Sequence, residues 1–122
     1  MIEEIILNYL GDEIAPVPVL MEVPEVPSEE YQAFPDSLVV IEKVGAGRED
    51  RIDQASIAFQ SYGKTLYEAA ALDHEVRKAV ERMNELPEIG GVYLASNYNF
   101  TDTRSKRYRY QCVYDIYYVE GE

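Results

Sequence analysis

An amphipathic helix constrains the fold of this chain more than any other feature of its sequence. The stretch 65–86 begins with Thr65, and Glu68 follows three residues later, which is the spacing of a capping box. Pro87 ends the stretch, because proline does not continue a helix. Between these limits apolar residues recur with helical period, at Ala69, Leu72, Val76, Ala79, Val80 and Met83. Such a stripe is stable only when buried, so we expect a long helix packed on another element.

Alternating apolar residues predict strands on both sides of this helix. The stretches 37–44 and 51–60 are rich in β-branched or alternating apolar residues and predict an antiparallel hairpin, with 45–50 as its turn. The stretch 92–96 predicts a further strand, 97–106 a polar turn, and 107–119 a long final strand. One face of the final strand is apolar or aromatic, at Tyr108, Tyr110, Cys112, Tyr114, Ile116 and Tyr118.

The first third of the chain gives weaker signals. Residues 2–14 have apolar positions on one helical face and predict a short helix. Residues 17–23 alternate as a strand does, but Pro16 and Pro18 restrict such a strand to a sheet edge. The acidic, proline-bearing stretch 24–36 predicts an exposed loop. We therefore expect one α+β domain over 1–122, with a mainly antiparallel sheet and one long and one short helix packed on one face.

The charge of the chain is negative and unevenly spread. The formal net charge is −12, and residues 1–50 hold twelve acids against two bases. Such a field repels polyphosphates, so we expect no direct nucleic-acid binding. No apolar run approaches the roughly 18 residues of a membrane span, so we expect no membrane partner.

The residues that most often carry chemistry do not form a recognisable site. Cys112 is the single cysteine and falls mid-strand, which favours a buried packing role. His74 is the single histidine and lies off the helix stripe, which favours a solvated position and gives no metal set. Gly45 and Gly47 precede a predicted strand where a phosphate loop needs a helix, which favours a hairpin turn. We therefore expect no enzyme, no catalytic residue, no cofactor and no metal.

The segment from Tyr98 to Tyr110 is the most distinctive, because four bases alternate with aromatic residues in an acidic protein. Tyrosine and arginine are favoured at protein interfaces, so the segment is a candidate contact surface. The alternatives are a solvated hairpin rim whose tyrosines pack on a helix, or a nucleic-acid surface. The candidate interface residues are Tyr98, Phe100, Arg104, Lys106, Arg107 and Arg109.

Opposite charges in two parts of the chain suggest a head-to-tail contact. The acidic loop of one subunit would meet the basic hairpin of the next, and such contacts close into rings where the rotation permits. Replacing Arg104 and Arg107 by glutamate is then expected to abolish the oligomer, which native mass spectrometry measures.

Two stretches carry a resemblance to a known family. They are Ala58-Phe-Gln-Ser-Tyr-Gly-Lys-Thr-Leu-Tyr-Glu-Ala-Ala70 and Tyr98-Asn-Phe-Thr-Asp-Thr-Arg-Ser-Lys-Arg-Tyr-Arg-Tyr-Gln-Cys-Val-Tyr-Asp115. The chain resembles the small tail terminator, or tail-completion (neck), proteins of long-tailed phages and prophages of Gram-positive bacteria. The resemblance implies a homo-oligomeric ring, commonly a hexamer, that caps the tail tube, ends its polymerisation and docks to the head–tail connector. It also implies a virion protein that is present in the host cytoplasm during assembly, with no catalytic residues.

Two other functions remain open from the sequence. A head-side connector adaptor of the neck is closely related to the implied role, and the sequence does not separate the two. An acidic DNA-mimic inhibitor would explain the charge, but a mimic needs acids spaced like phosphates on one face, whereas many of these acids fall in a proline-bearing loop.

Overall fold

The computed structural model describes residues 1–105 and 107–120, and in these the chain forms a five-stranded sheet with two α-helices. The elements, in chain order, are α1 (Ile2–Glu13), β1 (Val19–Leu20), β2 (Leu38–Glu49), β3 (Ile52–Gly63), α2 (Leu66–Glu81), a 3₁₀ turn (Met83–Glu85), β4 (Ile89–Asn99) and β5 (Tyr108–Tyr118). The strands lie in the order β1-β2-β3-β5-β4. The short β1 pairs with β2 in parallel and all other pairs are antiparallel, so the predicted α+β class is confirmed.

Both helices cover the same face of the sheet. Alternate residues of β3 and β5 point towards them, so that Phe59 lies opposite Cys112 and Ile57 opposite Tyr114. The stripe of α2 is buried against this face, as predicted. α1 adds Ile2, Ile6 and Leu10 to the same core.

Hydrogen bonds fix the start of α2 and its position beside α1. The Thr65 hydroxyl accepts from the Glu68 amide at 3.1 Å, which satisfies one of the free donors at the helix start. The Glu68 carboxylate accepts in return from the Lys64 amide, one residue before the position of an ideal capping box. The Tyr9 hydroxyl donates to the Ala79 carbonyl at 2.7 Å and ties α1 to the last turn of α2.

Several predicted boundaries were wrong. α2 ends at Glu81 and a 3₁₀ turn covers Met83–Glu85, so the helix does not reach residue 86. The strand predicted at 17–23 is reduced to Val19–Leu20. The strand predicted at 92–96 extends over Ile89–Asn99, because its polar end pairs with β5.

The predicted turn at 45–50 was also wrong. Gly45 and Gly47 are extended residues of β2, and the turn is the pair Asp50-Arg51. Both turn residues have positive φ, 51° and 68°, as in a type I′ hairpin.

The second face of the sheet is only partly covered. Leu38, Val40 and Tyr62 form a small buried cluster there. Leu20, directly before the segment 21–36, and Phe34, near the end of that segment, pack against the cluster. The acidic segment is therefore fastened to the sheet at both ends. The rest of this face, called the open face below, carries no helix in the described chain.

Candidate interaction surfaces

The basic segment predicted from the sequence is the connection between β4 and β5. Asp102 and Arg107 form an isolated bridge at its base. The Asp102 carboxylate accepts from the Ser105 hydroxyl at 2.9 Å and from the Arg104 amide at 3.0 Å. These hydrogen bonds lower the pKa of Asp102 and close the turn. Arg104 lies exposed on this turn, whereas Lys106 falls outside the described residues.

Two of the predicted interface arginines bind within their own chain. The Arg107 guanidinium lies 3.9 Å from the centre of the Phe34 ring. The Arg109 guanidinium lies 4.2 Å from the Phe100 ring and donates to the Phe100 carbonyl at 2.8 Å and the Tyr62 hydroxyl at 3.0 Å. These contacts hold the end of the acidic segment against the β4–β5 connection. Reversing the charge of the exposed Arg104 therefore disturbs these intrachain contacts less than reversing that of Arg107 or Arg109.

Exposed aromatic rings follow the open face along β4 and its neighbour. Tyr98 and Phe100 meet edge to face at 5.6 Å between ring centres, and Tyr93 and Tyr117 meet in the same way at 5.8 Å. All four rings are exposed, Tyr93 to 60%. We call Tyr93, Tyr98, Phe100 and Tyr117 the aromatic strip.

The sequence pointed to only half of this strip. Tyr98 and Phe100 were predicted from the basic segment, and the structure brings them together with Arg109. Tyr93 and Tyr117 were missed. The sequence did contain a signal for Tyr117. This residue lies between the buried Ile116 and Tyr118, and therefore belongs to the opposite face of its strand.

Beside the strip the open face is polar and internally hydrogen-bonded. The Asp115 carboxylate accepts from the Ser56 hydroxyl at 2.6 Å and from the Gln54 amide at 3.3 Å. Gln60 donates to Gln111, whose own amide donates to the Tyr98 hydroxyl. These bonds cross three neighbouring strands and hold one end of the aromatic strip in place.

The buried groups on the helix side serve packing. The Cys112 thiol is fully buried, and this burial raises its pKa far above the ordinary range, which disfavours the reactive thiolate. The Asp73 carboxylate is buried beside it and accepts from Arg77 at 3.1 Å and from the Asn97 side chain at 3.0 Å. His74 is exposed on α2, as predicted.

The surface hollows are shallow. One hollow of about 550 Å³ lies on the open face and is lined by Ile52, Gly90, Gly91, Tyr93, Asp115 and Tyr117. Within residues 1–105 and 107–120, no group of three or more histidine, cysteine, aspartate or glutamate side chains is placed to hold a metal ion. No helix in the described part has the length and apolar character required to cross a membrane.

No family model matches the chain, and no curated protein matches it.

Proposed function

We propose that this chain is a structural subunit that assembles into a ring and completes the tail of a long-tailed phage. In this role the ring caps the tail tube, ends its polymerisation and joins the tail to the head connector. The residues of the two stretches quoted above supply the family resemblance. The observation that carries the proposal is the aromatic strip on the open face of the sheet.

The aromatic strip supports an interface for physical reasons. Exposed aromatic clusters on soluble proteins mark contact sites, because burying a tyrosine ring removes a large apolar area from water while its hydroxyl keeps a hydrogen-bond partner. At one end of the strip the Arg109 guanidinium lies over the Phe100 ring, and Arg104 is an exposed base on the same β4–β5 connection in a chain of net charge −12. Aromatic rings beside arginine form the usual centre of a protein interface.

The net charge fits a subunit that stays separate until its partner is present. Like charge slows the approach of free copies, and it favours docking to surfaces of opposite sign. In the proposed role the partner is the end of a pre-formed tail tube. A head-side connector adaptor has the same general chemistry, so partner choice distinguishes the two functions.

The test is the mass of the purified chain alone and with tail tube protein, by native mass spectrometry and light scattering. We expect a closed oligomer that binds the tube end. The variant Tyr93→Ser is expected to weaken assembly at least tenfold, the loss of about 1.4 kcal/mol expected for one buried interface tyrosine. Tyr67→Ser is the matched control, because Tyr67 is 82% exposed on α2 and away from the strip.

Two outcomes contradict the proposal. A wild-type chain that stays monomeric at high concentration and ignores tail tube protein overturns it. An oligomer that binds the head connector protein but not the tube supports the connector adaptor in its place.

A further inference from the structure

Both outer edges of the sheet are open. β1 covers β2 only at Val39 and Val40, so residues 42–49 of β2 have no strand on their outer side in the described chain. β4 is the last strand at the opposite edge. An open edge presents backbone N–H and C=O groups that can pair with another strand.

The β4 edge lacks the charged residues that usually prevent such pairing. None of its eleven residues is charged, whereas 28% of the whole chain is. Proteins guard edge strands with lysine, proline, inward charges or bulges, and of these β4 has only its two bulges. Tyr93 and Leu94 are both exposed on this strand. An uncharged, aromatic edge of this length is suited to a partner strand.

The β2 edge contains two glycines that its own chain does not require. Gly45 and Gly47 are extended, and neither has a positive φ. A Cβ added at either glycine would meet its nearest neighbour at 3.6–3.7 Å, an ordinary contact. Glycine weakens a strand, and inside one it often marks the close approach of another group. No group of the described chain makes such a close approach to Gly45 or Gly47.

The position of the two glycines indicates what approaches them. Gly45 lies opposite Ser56 and Gly47 opposite Gln54, so both glycines are on the open face. Tyr93 and Tyr98 are on the same face of β4. Aromatic rings on a neighbouring strand compensate for glycine at sheet edges. Within β4 the Tyr93 ring already lies over a glycine, because a Cβ on Gly91, two residues earlier on the same strand, would lie 2.8 Å from this ring.

The geometry points to a head-to-tail contact in which β4 of one copy pairs with residues 42–49 of β2 in the next copy. This pairing rests on the proposed function, because the ring proposed there makes the partner a second copy of this chain. It extends the sheet from subunit to subunit and sets the tyrosines of one copy beside the glycines of the other. Because the two edges lie on opposite sides of the subunit, the contact is heterologous and can close into a ring.

Charge also favours this pairing over β2 with β2. The β2 edge carries charges of both signs, at Glu42, Lys43, Arg48 and Glu49. When β2 pairs with the uncharged β4, none of these residues faces a like charge across the contact. Like charges placed directly opposite each other destabilise strand pairs.

Lysine placed on each edge tests the contact. Ala95 and Val44 are exposed residues at the bulges of β4 and β2, with no cross-strand partner in their own sheet. We expect Ala95→Lys and Val44→Lys each to weaken self-association at least tenfold. Ala71→Lys is the matched control, because Ala71 is exposed on α2.

Mixing the two variants distinguishes head-to-tail pairing from a symmetric contact. Each variant keeps one intact edge, so an equimolar mixture is expected to form a dimer of one copy of each and nothing larger. Assembly lost in Ala95→Lys but intact in Val44→Lys would show β4 pairing with β4 and would overturn the inference.

Hydrogen exchange on the wild-type chain tests the same contact without substitution. Amides of 42–49 and 89–99 are expected to gain protection at assembling concentrations, while those of 21–36 do not. Both lysine variants still forming the ring, with no added protection at either edge of the wild-type chain, overturns the pairing and leaves the proposed function standing. A ring that depends on both edges but ignores tail tube protein overturns the function and leaves the pairing standing.

Discussion

The turn between β2 and β3 contains a residue that is poorly suited to its conformation. A type I′ turn needs positive φ at both central positions, which glycine and asparagine adopt most readily. Asp50 tolerates this conformation, but Arg51 has φ 68° and a side chain whose Cβ crowds the backbone there. The left-handed conformation costs such a residue about 1–2 kcal/mol.

Replacing Arg51 by glycine is therefore expected to stabilise the protein. The substitution removes about 1–2 kcal/mol of strain, and it costs about 0.5–1 kcal/mol because glycine makes the unfolded chain more flexible. The expected net gain is about 0.5–1 kcal/mol in the free energy of unfolding. Little contact energy is lost, because Arg51 is exposed.

The assay is equilibrium urea unfolding followed by circular dichroism, at a concentration that keeps the protein monomeric. Glu49→Gly is the matched control, because Glu49 is an exposed residue of the strand next to the turn. Glycine there is expected to destabilise the protein by about 0.5–1 kcal/mol, with the opposite sign to Arg51→Gly. A loss of stability in both variants would refute the reasoning from backbone strain.

Two further predictions concern buried groups. Asp73→Ala is expected to lower the free energy of unfolding by about 1.5–3 kcal/mol, because Arg77 and Asn97 lose a charged acceptor. Urea unfolding measures this loss, and a loss under about 0.5 kcal/mol would contradict the prediction. On the alkaline side, stability is expected to hold from neutral pH up to about pH 9 and to fall above it. Burial raises the pKa of Cys112 and Tyr114 in the folded protein, so the unfolded chain releases these protons first. Tyr114→Phe is expected to make the alkaline fall shallower, and an unchanged slope would contradict this cause.

The parts of the fold that could be predicted are those with a local periodic signal. The α2 stripe and the alternation of β5 each depend on residues close together in the chain, and both were predicted correctly. Gly45 and Gly47 misled the prediction, because an extended glycine and a turn glycine are identical in sequence. The true turn, Asp50-Arg51, contains no residue that favours positive φ strongly.

The parts that were missed depend on partners far along the chain. Asn97 and Asn99 look like loop residues, but pairing with β5 holds them in β4, and the Asn97 side chain binds Asp73. The stacking of Arg107 on Phe34 joins residues more than seventy positions apart. No local pattern indicates such contacts, so the sequence identified the basic segment without showing which of its arginines are occupied.

The segment 21–36 leaves the sheet and returns to it, because both of its ends are held against the sheet. Its start continues from β1 beside β2, and its end is held by Phe34 on Tyr62. A protease nick within it would leave α1 in the core, so the two pieces would travel together through a sizing column and separate only on a denaturing gel. The same geometry makes this segment a suitable place to insert an affinity tag without disturbing either sheet edge.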